Sequence, residues 1–197
     1  MTNDAKIQLA KVFLTMLKTQ GVENVSVSQL CNKSGFSRET FYYHFHDKYD
    51  LMSWIYGKQK RDIMDKYFAS EPWSKTVCRV LYLVREYATF YRKGFSSTSY
   101  QNLERVMNDY TNDIFITVIR ELTGKEVISD EMTFYIKFNS HGAVAMTKEW
   151  VESNMIMDEK ELSILIAESM PPKVKEYLEK YFEKINHNHE LRHLVSL

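Results

Sequence analysis

Little in this chain breaks a helix. Six glycines and three prolines are spread over 197 residues, so long uninterrupted helices are expected. No stretch alternates apolar and polar residues long enough to read as a strand. No run reaches the ~18 apolar residues that a membrane span needs. Lys6, Lys11 and Lys18 interrupt the apolar runs near the N-terminus, so no secretory leader is read there. There are two cysteines, Cys31 and Cys78, with no CxxC spacing. They read as reduced core thiols of a cytoplasmic protein. The formal net charge is zero, which excludes a global basic field. HExxH, a phosphate-cradling glycine loop and GxSxG are all missing, so no enzyme chemistry, cofactor or metal site is implied. The acidic pair Asp130–Glu131 sits at a helix start, where it favours the dipole without any catalytic role.

What is present is a hydrophobic fraction of 44%, laid out at helical spacing. A first helix is read over 4–20, capped by Asn3 or Asp4, with Ile7, Ala10, Phe13, Leu14 and Leu17 on one face and Gly21 ending it. A long helix follows from Asp47 to about Ala69. Pro72-Trp73-Ser74 opens another, with Val77, Val80, Leu81, Val84, Ala88 and Tyr91 on one side and Lys93-Gly94 closing it. A turn-prone stretch covers 94–101. Helices are then read over 102–122, stopped by Gly124, and from Ser129 or Asp130 to Glu152. Asp158 and Glu161 form a capping box for a shorter helix carrying Leu162, Leu165, Ile166 and Ser169. Pro171-Pro172 starts a last helix with Val174, Tyr177, Leu178, Tyr181, Phe182 and Ile185 on one stripe. The fold class expected is all-α.

The chain is organised around residues 26–48, SVSQLCNKSGFSRETFYYHFHDK. Ser26 caps a helix and Gln29 completes the capping box. Gly35 ends that helix in the left-handed region. Ser37 caps a second helix with Phe41 and Phe45 one turn apart. A helix-turn-helix of this size places its second helix in the DNA major groove. At about 100° per residue, Phe41 and Phe45 define the buried direction and Tyr43 points most nearly away from it. Arg38, Glu39, Thr40 and Tyr43 are therefore assigned to base edges. Ser26, Tyr42, His44 and Lys48 are assigned to phosphates on the groove walls. Local charge is modest: Lys6, Lys11, Lys18, Lys33, Arg38 and Lys48 face Asp4, Glu23, Glu39, Asp47 and Asp50 over 1–50. Lys58, Lys60 and Arg61 bring the balance to +4 by residue 61.

This segment resembles the DNA-binding domain of the TetR family of bacterial regulators. The resemblance is carried by Leu30-Cys31-Asn32-Lys33-Ser34-Gly35-Phe36-Ser37, then Thr40-Phe41-Tyr42-Tyr43-His44-Phe45, then Asp47-Lys48. Cys31 and Ser34 stand where small alanines are usual, and Phe36 replaces a smaller residue. The resemblance implies an N-terminal three-helix helix-turn-helix domain, 1–49. A long helix would join it to a larger helical domain, 50–197, that dimerises and often holds a small-molecule effector. The run from Thr40 to Leu51, followed by Trp54-Ile55, is similar to a subgroup related to activators of dihydroxyacetone kinase operons, which take their signal from a partner protein.

Two functions fit these residues. The first is a homodimeric repressor reading a near-palindromic double-stranded operator and released by a small molecule. The second is an activator or adaptor controlled by a partner protein. For dimerisation, Gly142, Ala143 and Ala145 would let a second helix approach, and the 158–170 helix has an apolar face to offer. For an effector pocket, Tyr87, Tyr91, Tyr110, Phe138 and His141 are the expected lining among the mid-chain aromatics. His187, His189 and His193 in the tail lack accompanying metal-ligand geometry and read as a solvated terminus.

Overall fold

The computed structural model describes residues 2–99 and 102–187. Among them are ten α-helices, one 3-10 turn and no strand. The helices are α1 (Thr2–Leu17), α2 (Val27–Ser34), α3 (Arg38–His44), α4 (Lys48–Tyr67), α5 (Trp73–Glu86), α6 (Ala88–Phe95), α7 (Leu103–Thr123), α8 (Asp130–Glu152), α9 (Glu159–Glu168) and α10 (Pro172–His187). The 3-10 turn is Val22–Asn24. The fold class is all-α, as the sequence predicts.

Packing divides the chain into two units that do not follow chain order. One comprises Met1–Lys58 with Tyr87–Val106, the other Gln59–Glu86 with Met107–Leu197. The expected division into 1–49 and 50–197 differs in two ways. The start of α4, Lys48–Lys58, packs with the N-terminal helices, and so do α6 and the segment after it.

In the first unit, Leu9, Phe13, Leu17, Leu30, Phe41 and Phe45 are buried, and α1 packs on both α2 and α6. Burying each of these phenylalanines contributes roughly 2 kcal/mol. The α6 face supplies Phe90, Tyr91 and Phe95, all buried. The helix expected to run unbroken from Trp73 to Lys93 instead breaks at Tyr87, whose φ of −103° and ψ of 31° are not helical. The break separates α5, which packs on α9, from α6, which packs on α1. Gly94 does not close the helix but lies inside it. A Cβ there would stand 2.7 Å from Leu103 Cδ2 and 2.8 Å from Leu103 Cβ, so the residue is small because α7 begins against it.

In the second unit the core gathers Phe68, Phe115, Ile136, Val174, Leu178 and Tyr181. Tyr181 Oη donates to Glu121 Oε2 at 2.7 Å, and burial pushes this phenol well above its ordinary value. Helix α9 buries Leu162 and Ser163 and leaves Ile164 and Leu165 exposed. The expected face of Leu162, Leu165, Ile166 and Ser169 is therefore rotated, because α5 takes the other side. Asp158 caps α9 by accepting from Lys160 N at 2.8 Å. No helix among the described residues is long and apolar enough to cross a membrane.

Candidate nucleic-acid interface

The first element of the reader is built by its caps. Ser26 Oγ accepts from Gln29 N at 3.2 Å while Gln29 Oε1 accepts from Ser26 N at 2.9 Å, so two orphan amides at the start of α2 are satisfied reciprocally. Gly35 ends α2 at φ 76°, ψ 10°, a conformation that glycine adopts without steric cost. Ser37 Oγ accepts from Thr40 N at 3.0 Å and starts α3. Phe41 is buried beneath α3, its ring 5.8 Å from Phe45. Phe45 itself is extended, at φ −141°, and ends the helix rather than extending it. Its ring stays buried, 5.9 Å from Trp54. Asp47 Oδ1 then accepts from Tyr49 N at 2.8 Å and Asp50 N at 2.9 Å, capping α4.

The exposed face of α3 follows from that anchoring. Tyr43 is 76% exposed and Tyr42 is 50% exposed, while Phe41 between them and the core is fully buried. Arg38 and Glu39 are exposed, Thr40 and His44 half-buried. Arg38 is held in place: Nη1 donates to Ser28 Oγ at 3.1 Å and Nη2 to Tyr42 Oη at 3.4 Å. Its guanidinium lies 5.8 Å from the Tyr42 ring centroid. The Thr40 hydroxyl pairs with the Ser37 hydroxyl at 3.0 Å, so its polar atom is engaged locally. Tyr43 meets His44 edge-on at 4.9 Å. The structure thus brings Arg38, Glu39, Tyr42 and Tyr43 to one projecting surface, with Ser26 exposed at the start of α2.

Lys48 is placed differently. Its Nζ donates to the backbone carbonyls of Glu23 at 2.6 Å and Val25 at 3.0 Å. Burial lowers its pKa against the opposing pull of Glu23 and Asp47. In this conformation the ammonium braces the 3-10 turn instead of projecting from the surface. Sequence spacing missed this brace, because its acceptors are carbonyls 23 and 25 residues away. It also missed Ser28 as the holder of Arg38, ten residues on.

The residues expected to line an effector pocket are spread over both units. Tyr91 is fully buried in the first unit, and burial raises its phenol well above the ordinary value. Tyr87 is the residue at the α5–α6 break, in that same unit. Tyr110, in the second unit, borders a cavity of about 10 Å³ beside Met64, Phe68 and Tyr181, room for a single water; burial pushes its phenol to about 12. Phe138 and His141 lie on the exposed side of α8, and His141 Nδ1 pairs with the Lys137 carbonyl at 2.6 Å. His187 Nδ1 pairs with the Glu183 carbonyl at 2.7 Å; His189 and His193 lie outside the described residues. Both cysteines are free thiols.

Two sequence families match. Residues 14–53 match the bacterial regulatory proteins of the tetR family, and residues 71–171 match a transcriptional regulator C-terminal region of the same family. The HTH-type dhaKLM operon transcriptional activator DhaS of Lactococcus lactis subsp. lactis (strain IL1403) is 24% identical over 144 residues, 72% of this chain and 76% of that protein. The solved structure of a dihydroxyacetone kinase operon activator DhaS aligns with a TM-score of 0.60 at 21% identity, covering 87% of this chain and 97% of that one. Ligand-free RolR aligns with a TM-score of 0.52 at 12% identity, over 89% and 95% of the two chains. The reader that α2 and α3 form lies inside the first match and the second covers half of the chain, so this chain belongs to the TetR family of DNA-binding bacterial transcriptional regulators.

Proposed function

We propose that this chain works as a homodimer reading a near-palindromic operator, with α3 of each protomer in successive major grooves. The observation that carries this is Tyr43, 76% exposed on a helix whose opposite side is locked by buried Phe41. A large aromatic held out among Arg38 and Glu39 is poorly placed for packing and well placed for base edges. Arg38, Glu39, Thr40 and Tyr43 read bases in this proposal, and Ser26, Tyr42 and His44 contact phosphates. Lys48 contributes through the turn it braces, and reaches a phosphate only by leaving its two carbonyls. Pairing of two copies is supported by α8, where Phe134 and Phe138 stack with centroids 6.2 Å apart and are each 64% exposed. A Cβ on Gly142 of the same helix would meet open space, leaving room for a second helix.

On regulation, the similarity to DhaS, an operon activator, favours activation, and control by a partner protein is the form of it proposed here. A second reading, a repressor released by a small ligand, is favoured by one groove of about 560 Å³ in the second unit, lined by Trp73, Ile164, Met170, Leu178 and Phe182. Ligand sites of this size are common.

Selection of bound duplexes from a random pool, followed by footprinting, tests the operator reading. Tyr43→Ala is expected to weaken the selected duplex by about tenfold or more per half-site with an unchanged melting curve. Normal binding by that variant refutes the assignment of α3. Stoichiometric capture of a partner without any ligand-induced rise in melting temperature supports the activator reading, and the reverse supports the repressor.

A further inference from the structure

One carboxylate of the reading unit is held by groups far away in sequence. Glu23, in the 3-10 turn, accepts from Ser97 Oγ at 2.7 Å and from Thr98 N at 3.1 Å. Ser97 is buried at the foot of α6, and its hydroxyl also accepts from Ser99 N at 3.3 Å. The Ser97 hydroxyl is therefore used both as donor and as acceptor. The hydrogen bond from Ser97 is the chief reason that the Glu23 carboxyl lies below its ordinary range. The corner that carries Ser97 has a firm base, because Gly94 is closed on Leu103 and α6 lies on α1.

The same turn is gripped from its other side. Lys48 donates to the carbonyls of Glu23 and Val25, and Ser26, the next residue, caps α2. Helix α2 in turn packs on α3, and Ser28 of α2 holds Arg38. A continuous path of hydrogen bonds and contacts therefore runs from the corner after α6 to the projecting face of α3.

We infer that Glu23, clasped by Ser97, is a positioning residue for operator reading: it ties the 96–99 corner to the turn that seats Ser26, Lys48 and, through α2, Arg38. With the corner in place, the carboxylate is occupied and its charge is turned toward donors. With the corner displaced, the turn loses one of its two grips. A freed carboxylate then stands three residues from Ser26, where it repels phosphate. A displacement of the 96–99 corner thus alters DNA affinity without touching α3.

This inference rests on the operator reading proposed above, so its test has an arm that needs no DNA. Hydrogen exchange of the full-length protein reads the turn directly. In Ser97→Ala, the Thr98 amide and the amides of 22–29 are expected to exchange several-fold faster, as roughly one charge-assisted hydrogen bond is lost. Unchanged protection there overturns the inference whatever the DNA result. On the selected duplex, Ser97→Ala is expected to bind about tenfold more weakly and a scrambled duplex to change by less than about twofold. Ser97→Thr, which keeps the hydroxyl, restores binding. Glu23→Ala combined with Ser97→Ala binds no more weakly than the poorer single variant, since both remove one clasp. Losses that multiply, or wild-type operator affinity in both single variants, overturn it. Failure of the wild-type chain to select any duplex strikes the operator reading, while the exchange measurement still decides the clasp.

Discussion

Lys60 sits on the inner side of α4 and is buried. Burial alone pulls its ammonium down from 10.5 to about 8. Below about pH 8 both the folded and the unfolded chain carry the charge, and the folded state bears the full desolvation cost. Between there and 10.5 the folded chain sheds its proton first, so the cost fades as pH rises. Lys60→Met, which keeps most of the stem, is expected to stabilise the protein by roughly 1–3 kcal/mol near neutral pH and by progressively less toward pH 10. Thermal melts across that range check it, and a gain that grows with pH refutes it. At this scale some roles were legible in the sequence and others were not. The outward course of Tyr43 and the inward course of Phe41 follow from helical periodicity, which is a local property. The internal use of Lys48 does not, because its acceptors are backbone carbonyls that only the folded chain brings to it. The same holds for Glu23 and Ser97, 74 residues apart. The five expected pocket residues share only residue type and helical spacing, and such spacing serves a buried tyrosine such as Tyr91 and an exposed Phe138 equally well.

Elements with chemical punctuation are legible in the sequence. Ser26 with Gln29, Gly35, Ser37, Asp47, Ser129 and Asp158 each mark an end that the structure places where the residue type requires it. The α5–α6 break was invisible. Neither glycine nor proline stands at Tyr87, and the apolar stripe continues through it; tertiary demand from two different packing partners makes the break. Gly94 was legible as special but misread, since a glycine chosen for close approach looks the same in sequence as one chosen to end a helix. Gly94→Ala is expected to cost about 1–3 kcal/mol through the clash with Leu103, outweighing the gain of up to ~1 kcal/mol in helix propensity. Chemical denaturation of the variant checks this, and a neutral or stabilised variant shows that Leu103 yields without strain.

For the whole molecule, the decisive prediction concerns pairing. Phe134→Glu with Phe138→Glu places charge on a side of α8 that is solvent-exposed in one protomer, so folding should be little affected. If that side meets a second copy, sedimentation should show a monomer and operator affinity should fall by about a hundredfold or more, as one half-site is lost. A double variant that stays dimeric moves the interface elsewhere, with the exposed Ile164 and Leu165 of α9 as the next place to look. The discontinuous division of the chain has a practical side. Phe90, Tyr91 and Phe95 of α6 complete the cover over α1, so the N-terminal third is not a portable cassette. A chimera that transplants only residues 1–58 onto a foreign sensor leaves α1 bare along that flank and Glu23 without its donors, and it should fold poorly unless the 87–106 stretch travels with it.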